Sequence, residues 1–443
     1  GFCLSKDFTP TSLEDGGVRD HSNNKSYDLQ TKANFTLFDY HTLGLSAGYT
    51  FADVRNVPSS IYQRNYRQYR DVKRYQISGM MTLIPASFIV LYPQVYYDAY
   101  DNVYQEFSDF HLHNRTYDSI IKSWLFGSQI RSELVTSGKD KLYHLYRFEK
   151  QVYDRKDDRE YTEWTSNHTY LNQTSAMLNH KFSEDWQSSI AIGFSQSIRN
   201  FHTPENTTES VTTDWYAEPS FALTFANSFT DINLGVSRNI QYPTLRQLYS
   251  NSRGNLRLLP ERIWKTELST GYKTLGDGLI FNLESSVFYN HIQGLIDRIN
   301  SPIYQNQPAR ENAGFEVLQG CLLSNKVQIK NQLSYLKLDM NKGFTFTEMP
   351  CWTFDHTQEY YILPDLKFTY QIGWSDQIQS LDDGGSLHTL PDKTLHNIGV
   401  HWSINKHFKL ALSMSNIFDI DYQEEYGYPA AGRDFSATVE IRN

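Results

Sequence analysis

The 443-residue sequence contains only three cysteines, Cys3, Cys321 and Cys351, and they lie far apart. Such a small, odd number does not build a disulfide framework, and none of the spacings is that of a zinc site. Cys321 and Cys351 could still form one bond if their geometry allowed it. A disulfide-stapled domain and a cysteine-based metal site are therefore excluded.

Long hydrophobic runs are also absent. The longest mostly apolar stretch, residues 83–95, is interrupted by Pro85 and Pro93. It is far shorter than the roughly 20 residues that a transmembrane helix needs. Basic residues are not in excess, since the formal net charge is −9. These absences argue against a helical membrane protein, and the bulk charge gives no indication of a nucleic-acid partner.

Aromatic residues, by contrast, are abundant at 15%, while the hydrophobic share is only 39%. Disordered chains are poor in aromatic residues, so a folded protein is expected. Apolar and small or polar side chains alternate along residues 43–51, 366–374 and 408–415. Successive side chains of a strand point to opposite faces, so each stretch predicts a strand with one apolar face. The sequence therefore predicts an all-β fold.

Tight turns recur at intervals of about 40 to 55 residues, which leave room for two strands of ~10–14 residues and a long polar loop. We place the turns near nine residues: Thr42, Pro85, Lys139, Glu184, Asn227, Asp277, Asn325, Pro364 and Lys406. The clearest long loops are predicted at residues 59–71, 201–213, 238–262, 341–355 and 377–392. Short turns at one end and long loops at the other are typical of a bacterial outer-membrane barrel.

Membrane physics explains this pattern. A sheet can cross hydrocarbon only if it closes on itself, with an apolar face towards lipid and a polar face towards the lumen. A soluble all-β protein, such as a propeller or a series of sandwiches, remains the alternative. The nine turns and a last strand at 433–442 give nineteen strands, whereas bacterial barrels have an even number. We therefore expect one or three strands to be missing before residue 1, with residues 1–25 as the tail of a loop.

Three further stretches carry recognisable motifs. The first contains Tyr242 and Pro243 and continues with four motif residues: Gly254, Asn255, Pro260 and Glu261. The second is the run at residues 312–316. The third lies near the end and has seven motif residues: Asn416, Phe418, Asp419, Pro429, Gly432, Arg433 and Phe435. In this order, the stretches resemble the barrel of TonB-dependent outer-membrane receptors.

These motif residues have a structural interpretation as well. Pro243 and Pro260 preset φ and shape loops. Gly254 and Gly432 suit turns that need positive φ. Polar motif side chains can bond nearby backbone groups at the end of a strand. We therefore predict that the motif residues build the loops, with direct contact to a ligand as the alternative.

The resemblance implies a large antiparallel transmembrane β-barrel of 22 strands, with about nineteen present here. It implies short periplasmic turns, long extracellular loops and the outer membrane of a Gram-negative bacterium. Such a receptor captures a scarce, bulky nutrient (a ferric siderophore or similar metal chelate, cobalamin or haem) and has no catalytic residues or cofactor. Uptake is energised by the TonB complex through a plug. No plug-like stretch is seen, so residues 1–443 are expected to be the barrel of an N-terminally truncated chain.

Two other functions remain open. A passive porin without a plug would share the fold. A soluble all-β enzyme acting on glycans would need two carboxylates about 5–9.5 Å apart across a cleft. No Ser-His-Asp order, HExxH motif or phosphate loop is present in the sequence. We therefore expect no enzymatic activity.

Arginine and tyrosine are interleaved in one predicted outer loop. The candidate ligand-binding residues are Tyr62, Arg64, Tyr66, Arg67, Tyr69 and Arg70, followed by Lys73 and Arg74. Arginine binds phosphate or carboxylate in a bidentate manner, and tyrosine adds stacking area. The cluster could bind lipopolysaccharide phosphates, capture an anionic chelate or simply be solvated.

Candidate metal ligands are sparse. His111 and His113 would share one face of a strand, a spacing that can bind zinc or copper. Residues 382–385, Asp-Asp-Gly-Gly, resemble part of a calcium loop but lack its alternating ligands. Because neither group has a complete ligand set, no metal site is predicted.

Overall fold

The computed structural model describes residues 2–8, 13, 17–38, 40–62, 64–136, 138–159, 162–202, 208–250, 253–276, 278–298, 301–339, 347–382 and 385–441. In chain order, the elements are β1 Phe2–Phe8, β2 Lys25–Leu37, β3 His41–Val57, β4 Tyr66–Ala86, β5 Ile89–Phe107, β6 Arg115–Val135, β7 Asp140–Asp157, β8 Thr165–Lys181, β9 Trp186–His202, β10 Thr208–Thr212, β11 Tyr216–Ala226, β12 Thr230–Gln241, α1 Leu245–Tyr249, β13 Glu261–Gly276, β14 Leu279–Gln293, β15 Ile296–Asp297, β16 Gln305–Asn306, β17 Arg310–Leu323, β18 Val327–Asp339, β19 Trp352–Leu363, β20 Leu366–Ser375, β21 Ile378–Leu381, β22 Leu387–Leu390, β23 Lys393–Ser403, β24 Phe408–Ser415, β25 Gln423–Glu425, β26 Tyr428–Pro429 and β27 Asp434–Ile441. None of the helices in these ranges has the length and apolar character needed to cross a membrane.

Most strands form one antiparallel sheet in which each strand pairs with the next along the chain. The sheet has 21 strands, but β10 and β11 lie end to end along the same edge of β9. It is therefore twenty strands wide. The remaining strands form three short hairpins within the loops, namely β15–β16, β21–β22 and β25–β26. The predicted all-β, antiparallel fold is confirmed.

The predicted turns are confirmed at eight of the nine positions, because each lies at or next to a short connection between paired strands. The ninth, Asp277, lies outside the described residues. Two examples are the connection between β4 and β5 near Pro85 and the connection between β19 and β20 at Pro364. The long connections all lie at the opposite end of the sheet. We refer to these two ends as the turn end and the loop end.

Several boundaries differ from the prediction. Strands of the large sheet enter three of the predicted loops in the later part of the chain: β10 lies within 201–213, β12 reaches Gln241 within 238–262, and β19 begins at Trp352 within 341–355.

Two further differences lie in the first part of the chain. Residues 1–25 were expected to be a loop tail, but β1 pairs with β2, with Phe2 opposite Thr31. The width is thus even, and the argument from an odd count no longer applies. The loop predicted at 59–71 is shorter, because β4 begins at Tyr66 and is 21 residues long. Long strands such as β4 extend beyond the length that a bilayer requires.

The two faces of the sheet differ strongly in polarity. Val95, Phe126 and Ile130 lie on one face and are 52%, 42% and 39% exposed. This apolar surface extends from the turn end and is what lipid contact requires. We call it the outer face. On the inner face, Ser195 and Ser197 are each only 2% exposed.

The first and last loops of the chain meet at the loop end. Arg19 donates from Nη1 to the carbonyl oxygen of Pro429 at 3.2 Å and from Nη2 to that of Ser59 at 2.6 Å. The rings of Tyr62 and Tyr426 stack with centroids 4.8 Å apart. The sheet is therefore curled enough to bring the two ends of the chain together. Among the described residues, β1 and β27 are not paired with each other.

Candidate ligand-binding cavity

A cavity of about 770 Å³ lies on the inner face at the loop end, beside β4–β7. Its volume is typical of a small-molecule site. Five arginines and six tyrosines dominate its wall: Arg64, Arg67, Arg159, Arg246, Arg253, Tyr66, Tyr69, Tyr100, Tyr104, Tyr117 and Tyr153. We call it the arginine–tyrosine cavity.

Strand register explains how β4 and β5 contribute to the cavity. Arg67 lies opposite Glu106, and Tyr69 lies opposite Tyr104. The rings of Tyr69 and Tyr104 are 5.2 Å apart. Because residues opposite each other in an antiparallel pair share a face, these four side chains line one wall. The Tyr104 hydroxyl donates to Glu106 Oε1 at 3.0 Å and helps to fix that carboxylate.

A bulge in β4 changes which residues face the cavity. Asp71 has φ 49°, and the register with β5 shifts between Arg70 and Lys73. Arg70 pairs with Val103, which lies between the cavity-lining Asn102 and Tyr104 and so points the other way. A bulge of this kind inserts one residue and re-aims the side chains beyond it.

The structure brings four of the six predicted ligand residues to the cavity: Arg64, Tyr66, Arg67 and Tyr69. Tyr62 instead stacks on Tyr426, and Arg70 lies on the outer face. The prediction that the whole cluster lies in a loop is wrong, since β4 already begins at Tyr66. The arginine side chains of β4 therefore lie on both of its faces, with Arg67 towards the cavity and Arg70 on the outer face.

The described residues 242–250 and 253–260 fold onto the inner face and supply the opposite wall; we call them the docked loop. They contain α1, whose N-cap Thr244 forms a capping box with Gln247. Leu248 and Tyr249 are buried in a hydrophobic cluster, and the Tyr249 ring stacks on Tyr153 with centroids 5.6 Å apart. With one side of α1 anchored in this way, Arg246 lines the cavity.

Two buried arginines of the sheet hold the docked loop by its backbone. Arg199 donates from Nη2 to the carbonyl oxygen of Leu258 at 2.8 Å and from Nη1 to that of Leu256 at 3.3 Å. Arg155 donates from Nη1 to the carbonyl oxygen of Tyr249 at 3.2 Å, and its guanidinium also pairs with a carboxylate of the same strand. Charged donors make stronger bonds than neutral ones, so these contacts fix the loop.

The cavity is strongly cationic. Burial lowers the pKa of Arg253, and the neighbouring guanidinium groups of Arg298 and Arg246 lower it further. Among the described residues that line the cavity, Glu106 is the one carboxylate, and it lies 3.7 Å from Arg159 Nη2. Arg159 also lies over the Tyr117 ring, 4.4 Å from its centroid. Guanidinium groups and aromatic faces together suit an anionic ligand that carries aromatic rings.

Motif residues of the first stretch connect the docked loop to its neighbours. Tyr242 donates from its hydroxyl to Ser195 Oγ at 3.2 Å, and burial raises the pKa of Tyr242 to about 12. Asn255 donates from Nδ2 to the carbonyl oxygen of Tyr304 at 2.8 Å. Glu261 accepts the backbone N–H of Ile296 at 2.7 Å. These contacts position the loop.

The third motif stretch ties together the last loop. Asn416 exchanges two bonds with the backbone of Ile420, at 2.8 and 2.9 Å. Asp419 Oδ1 accepts the backbone N–H of Arg433 at 2.6 Å, and Arg433 Nε donates to the carbonyl oxygen of Ile417 at 3.0 Å. The Phe435 side chain, which is 67% exposed, follows on β27.

The glycine prediction needs a correction, because neither Gly254 nor Gly432 has a positive φ. At Gly254 the requirement is close approach: a Cβ would lie 2.5 Å from the carbonyl oxygen of Ser250 and 2.6 Å from that of Leu248. Only glycine lets the backbone pass this close.

Among the described residues, the candidate metal ligands form no complete metal site and the two cysteines form no disulfide bond. His111 and His113 lie in the β5–β6 loop and not on a strand, so the predicted shared strand face is wrong; their rings stack at 5.8 Å. Of the acidic run at 382–385, Asp383 and Gly384 lie outside the described residues. Within the described ranges, no group of three His, Cys, Asp or Glu residues could hold a metal ion. Cys321 and Cys351 are free thiols.

Most of the cavity wall was not identified from the sequence. Tyr100, Tyr104 and Tyr117 lie on β5 and β6, and Arg246 and Arg253 lie on the docked loop. Residues 100, 102, 104 and 106 are all polar or aromatic, and this alternation did indicate that they share one face of a strand. Nothing in the sequence, however, indicated that the docked loop folds onto that face.

Comparison with known proteins gives the following matches. The family described as "TonB dependent receptor-like, beta-barrel" matches residues 4–417. The solved structure of the copper transporter OprC is similar, with TM-score 0.85, 14% identity, and coverage of 99% of this chain and 76% of that one. The FrpB iron transporter from Neisseria meningitidis (F3-3 variant) has TM-score 0.78, 13% identity and the same coverage. The siderophore receptor PiuA from Acinetobacter baumannii has TM-score 0.74, 14% identity and coverage of 99% and 77%. At these identities the likeness shows a shared fold.

Proposed function

The chain belongs to the TonB-dependent receptor β-barrel family, and from this premise we propose that it is an outer-membrane receptor for an anionic, aromatic metal chelate. The ligand class is a ferric siderophore or a similar chelate. The arginine–tyrosine cavity is its binding site. The exposed apolar band of the outer face supports placement in the outer membrane of a Gram-negative bacterium.

The observation that carries this proposal is the charge of the cavity wall. Five arginines face one carboxylate, Glu106, among the described lining residues. Guanidinium groups that cluster in this way repel one another. An anion that binds among them interacts favourably with each of them. The tyrosine rings supply flat apolar surface for the aromatic groups of a chelator. The structural neighbours named above include a siderophore receptor and two metal transporters, in keeping with this ligand class.

The chain itself makes and breaks no bond in this proposal. Arg67, Arg246 and Arg253 bind the anionic oxygens of the chelate, while Tyr69 and Tyr104 contact its rings. Uptake then requires energy from the TonB complex, delivered through a plug domain. That partner and the assignment of residues 1–443 to the barrel domain are parts of the proposal.

Binding of defined chelates to the purified protein tests the proposal. We expect a negatively charged ferric tris-catecholate to bind and an uncharged ferric tris-hydroxamate to bind far more weakly. Replacing Arg67→Gln and Arg253→Gln together should weaken catecholate binding by at least about 100-fold, because each charged hydrogen bond contributes about 1.5–3 kcal/mol. The measurement is isothermal titration calorimetry.

Arg70→Gln is the matched control, since Arg70 is on the same strand but faces away from the cavity. It should leave the affinity unchanged. Equal losses in both variants, or equal binding of the uncharged chelate, would contradict the proposed site. A passive porin would show no saturable binding and would conduct ions in a planar bilayer.

A further inference from the structure

The arginine–tyrosine cavity has one negative charge among its described lining residues, the carboxylate of Glu106. The side chain of Glu106 is 37% exposed, so a molecule that enters the cavity reaches it. A carboxylate at this place lowers the positive potential of the wall and weakens the binding of an anion. Glu106 is therefore unfavourable for a ligand that carries negative charge alone.

Glu106 does not neutralise the arginine that faces it on the neighbouring strand. Arg67 lies directly opposite Glu106, where side chains of opposite charge stabilise a sheet by pairing. In the described part of the chain, however, no ion pair joins the two, and Arg67 Nε is buried without a hydrogen-bond partner. The guanidinium and the carboxylate thus remain separate, and each is open to a ligand group of opposite charge.

Arg159 comes closer to Glu106, but its hydrogen bond is made elsewhere. Arg159 Nη2 lies 3.7 Å from Glu106 Oε2, which is too long for a hydrogen bond. The same nitrogen donates to the carbonyl oxygen of Thr116 at 3.1 Å, and the guanidinium lies over the Tyr117 ring. Arg159 therefore attracts the carboxylate without occupying its lone pairs.

Tyr104 holds the carboxylate in place. Its hydroxyl donates to Glu106 Oε1 at 3.0 Å and is the one hydrogen-bond donor to Glu106 among the described residues. Burial raises the pKa of Tyr104, and the charge of Glu106 raises it further, so Tyr104 remains a neutral donor. An ionised carboxylate has about four positions that accept hydrogen bonds. Most of these positions on Glu106 are therefore free, on a side chain that lines the cavity.

We propose that Glu106 is a specificity-determining residue that binds a protonated amine of the chelate. This inference deepens the proposed function and rests on it. The ligand class becomes narrower, namely an anionic catecholate chelate that carries one ammonium group at its edge. Arg67 and Arg253 bind the anionic oxygens, and Glu106, opposite Arg67, accepts hydrogen bonds from the ammonium. Because hydrogen bonds between charged groups are strong, this contact also orients the chelate in the cavity.

Two ferric tris-catecholates that differ in one group test the inference. One carries a primary amine, and in the other the amine is acetylated. Acetylation makes the chelate more negative by one charge, so the arginines alone would favour the acetylated form. We expect the unaltered full chain to bind the amine form about tenfold more tightly, because a hydrogen bond between charged groups outweighs that attraction. The measurement is isothermal titration calorimetry at about pH 7, where a primary amine is protonated.

Glu106→Gln should reverse the preference. Compared with the unaltered protein, this variant should bind the amine form about tenfold more weakly, because the counter-charge of the ammonium is lost. It should bind the acetylated form more tightly, because the repulsion from the carboxylate is lost. A residue that only supported the wall would weaken both forms alike. Tyr104→Phe should retain a smaller preference for the amine form, because the carboxylate remains but is no longer held.

Asp118→Asn is the matched control. Asp118 is also a carboxylate near the loop end, but it follows the cavity-lining Tyr117 on β6 and so points to the other face. This variant should keep the tenfold preference for the amine form. Equal affinity of the unaltered protein for the two chelates, or an unchanged preference in Glu106→Gln, would overturn the role assigned to Glu106.

The two proposals fail in different ways. If neither chelate binds, both proposals are overturned. If the acetylated form binds at least as tightly as the amine form and loses affinity in the variant at Arg67 and Arg253, the proposed function stands and the role of Glu106 is refuted. Should Glu106→Gln not fold, the comparison of the two chelates on the unaltered protein still decides the matter.

Discussion

At the residue scale, arginines of the inner face serve two purposes. Arg155 and Arg199 are 3% and 2% exposed and bind carbonyl oxygens of the docked loop. Arg67 and Arg253 line the cavity, where the wall offers little negative charge. The first pair stabilises structure, because its charge is used in hydrogen bonds. The second pair is available to a ligand.

Replacing Arg199→Met should release the docked loop from the sheet. Two charged hydrogen bonds are lost, each contributing about 1.5–3 kcal/mol, and the carbonyl oxygens of Leu256 and Leu258 lose their donors. We expect faster hydrogen exchange across residues 245–258 and weaker chelate binding, measured by mass spectrometry and calorimetry. Arg199→Lys should be intermediate. Unchanged exchange in the methionine variant would contradict the assigned role.

Arg115→Met is the matched control at this scale. Its side chain is 55% exposed and pairs with Asp118 at 2.7 Å. Exposed ion pairs contribute little to stability, about 0–1 kcal/mol. The control should therefore leave both exchange and chelate binding unchanged.

At the element scale, β4 is the most informative strand. Its bulge at Asp71 lets Tyr69 and Arg74 face the same side, although they are an odd number of residues apart. Tyr69 lies opposite Tyr104, and Arg74 lies opposite Tyr100. An unbroken strand would place only one of the two on the inner face. The bulge thus decides which arginines of β4 face the cavity.

Deleting Asp71 should turn the loop-end part of β4 over. The apolar band fixes the register of residues 75–86, so the side chains beyond the deletion change face. We expect Arg67 and Tyr69 to leave the cavity and ferric catecholate binding to fall at least tenfold, measured by calorimetry. Asp71→Gly, which keeps the strand length and suits φ 49°, should bind normally. Normal binding by the deletion variant would contradict this account.

The elements were predictable where one face of a strand is apolar and exposed. There, apolar and polar residues alternate along each strand, and the predicted turns separate one alternating stretch from the next. The pattern fails towards the loop end, because there both faces of a strand carry polar side chains. For this reason the start of β4 at Tyr66 was missed, and residues 66–71 were assigned to a loop. The pattern of apolar and polar residues gives no indication of the register shift at Asp71.

At the scale of the whole molecule, the cavity joins parts that are distant in sequence. Arg67 lies on β4, Tyr153 on β7 and Arg246 on the docked loop. No periodicity or motif in the sequence indicates that these residues lie together. Their proximity depends on the curl of the sheet and on the packing of the docked loop against it. The family and the barrel pattern were predictable, because they depend on motifs and on an alternation of side chains that involve residues close in sequence. The composition of the site was predictable only in its β4 part.

Charge is also distributed unevenly over the whole molecule. The chain has a net charge of −9, yet the cavity wall is cationic. An anionic chelate should therefore be attracted locally, and salt should screen that attraction. We expect its association rate to fall about tenfold when ionic strength rises from low to physiological values, measured by stopped-flow fluorescence. An association rate that does not respond to salt would contradict a cationic site.

Side chains of the sheet hold the docked loop in place, among them Arg155, Arg199 and the ring of Tyr153. It brings two cavity arginines, Arg246 and Arg253, but its described residues belong to no strand of the large sheet. Such a segment is an exchangeable module. A relative that kept the three anchors and inserted a different loop between β12 and β13 would acquire a new cargo preference. Its barrel would be assembled as before.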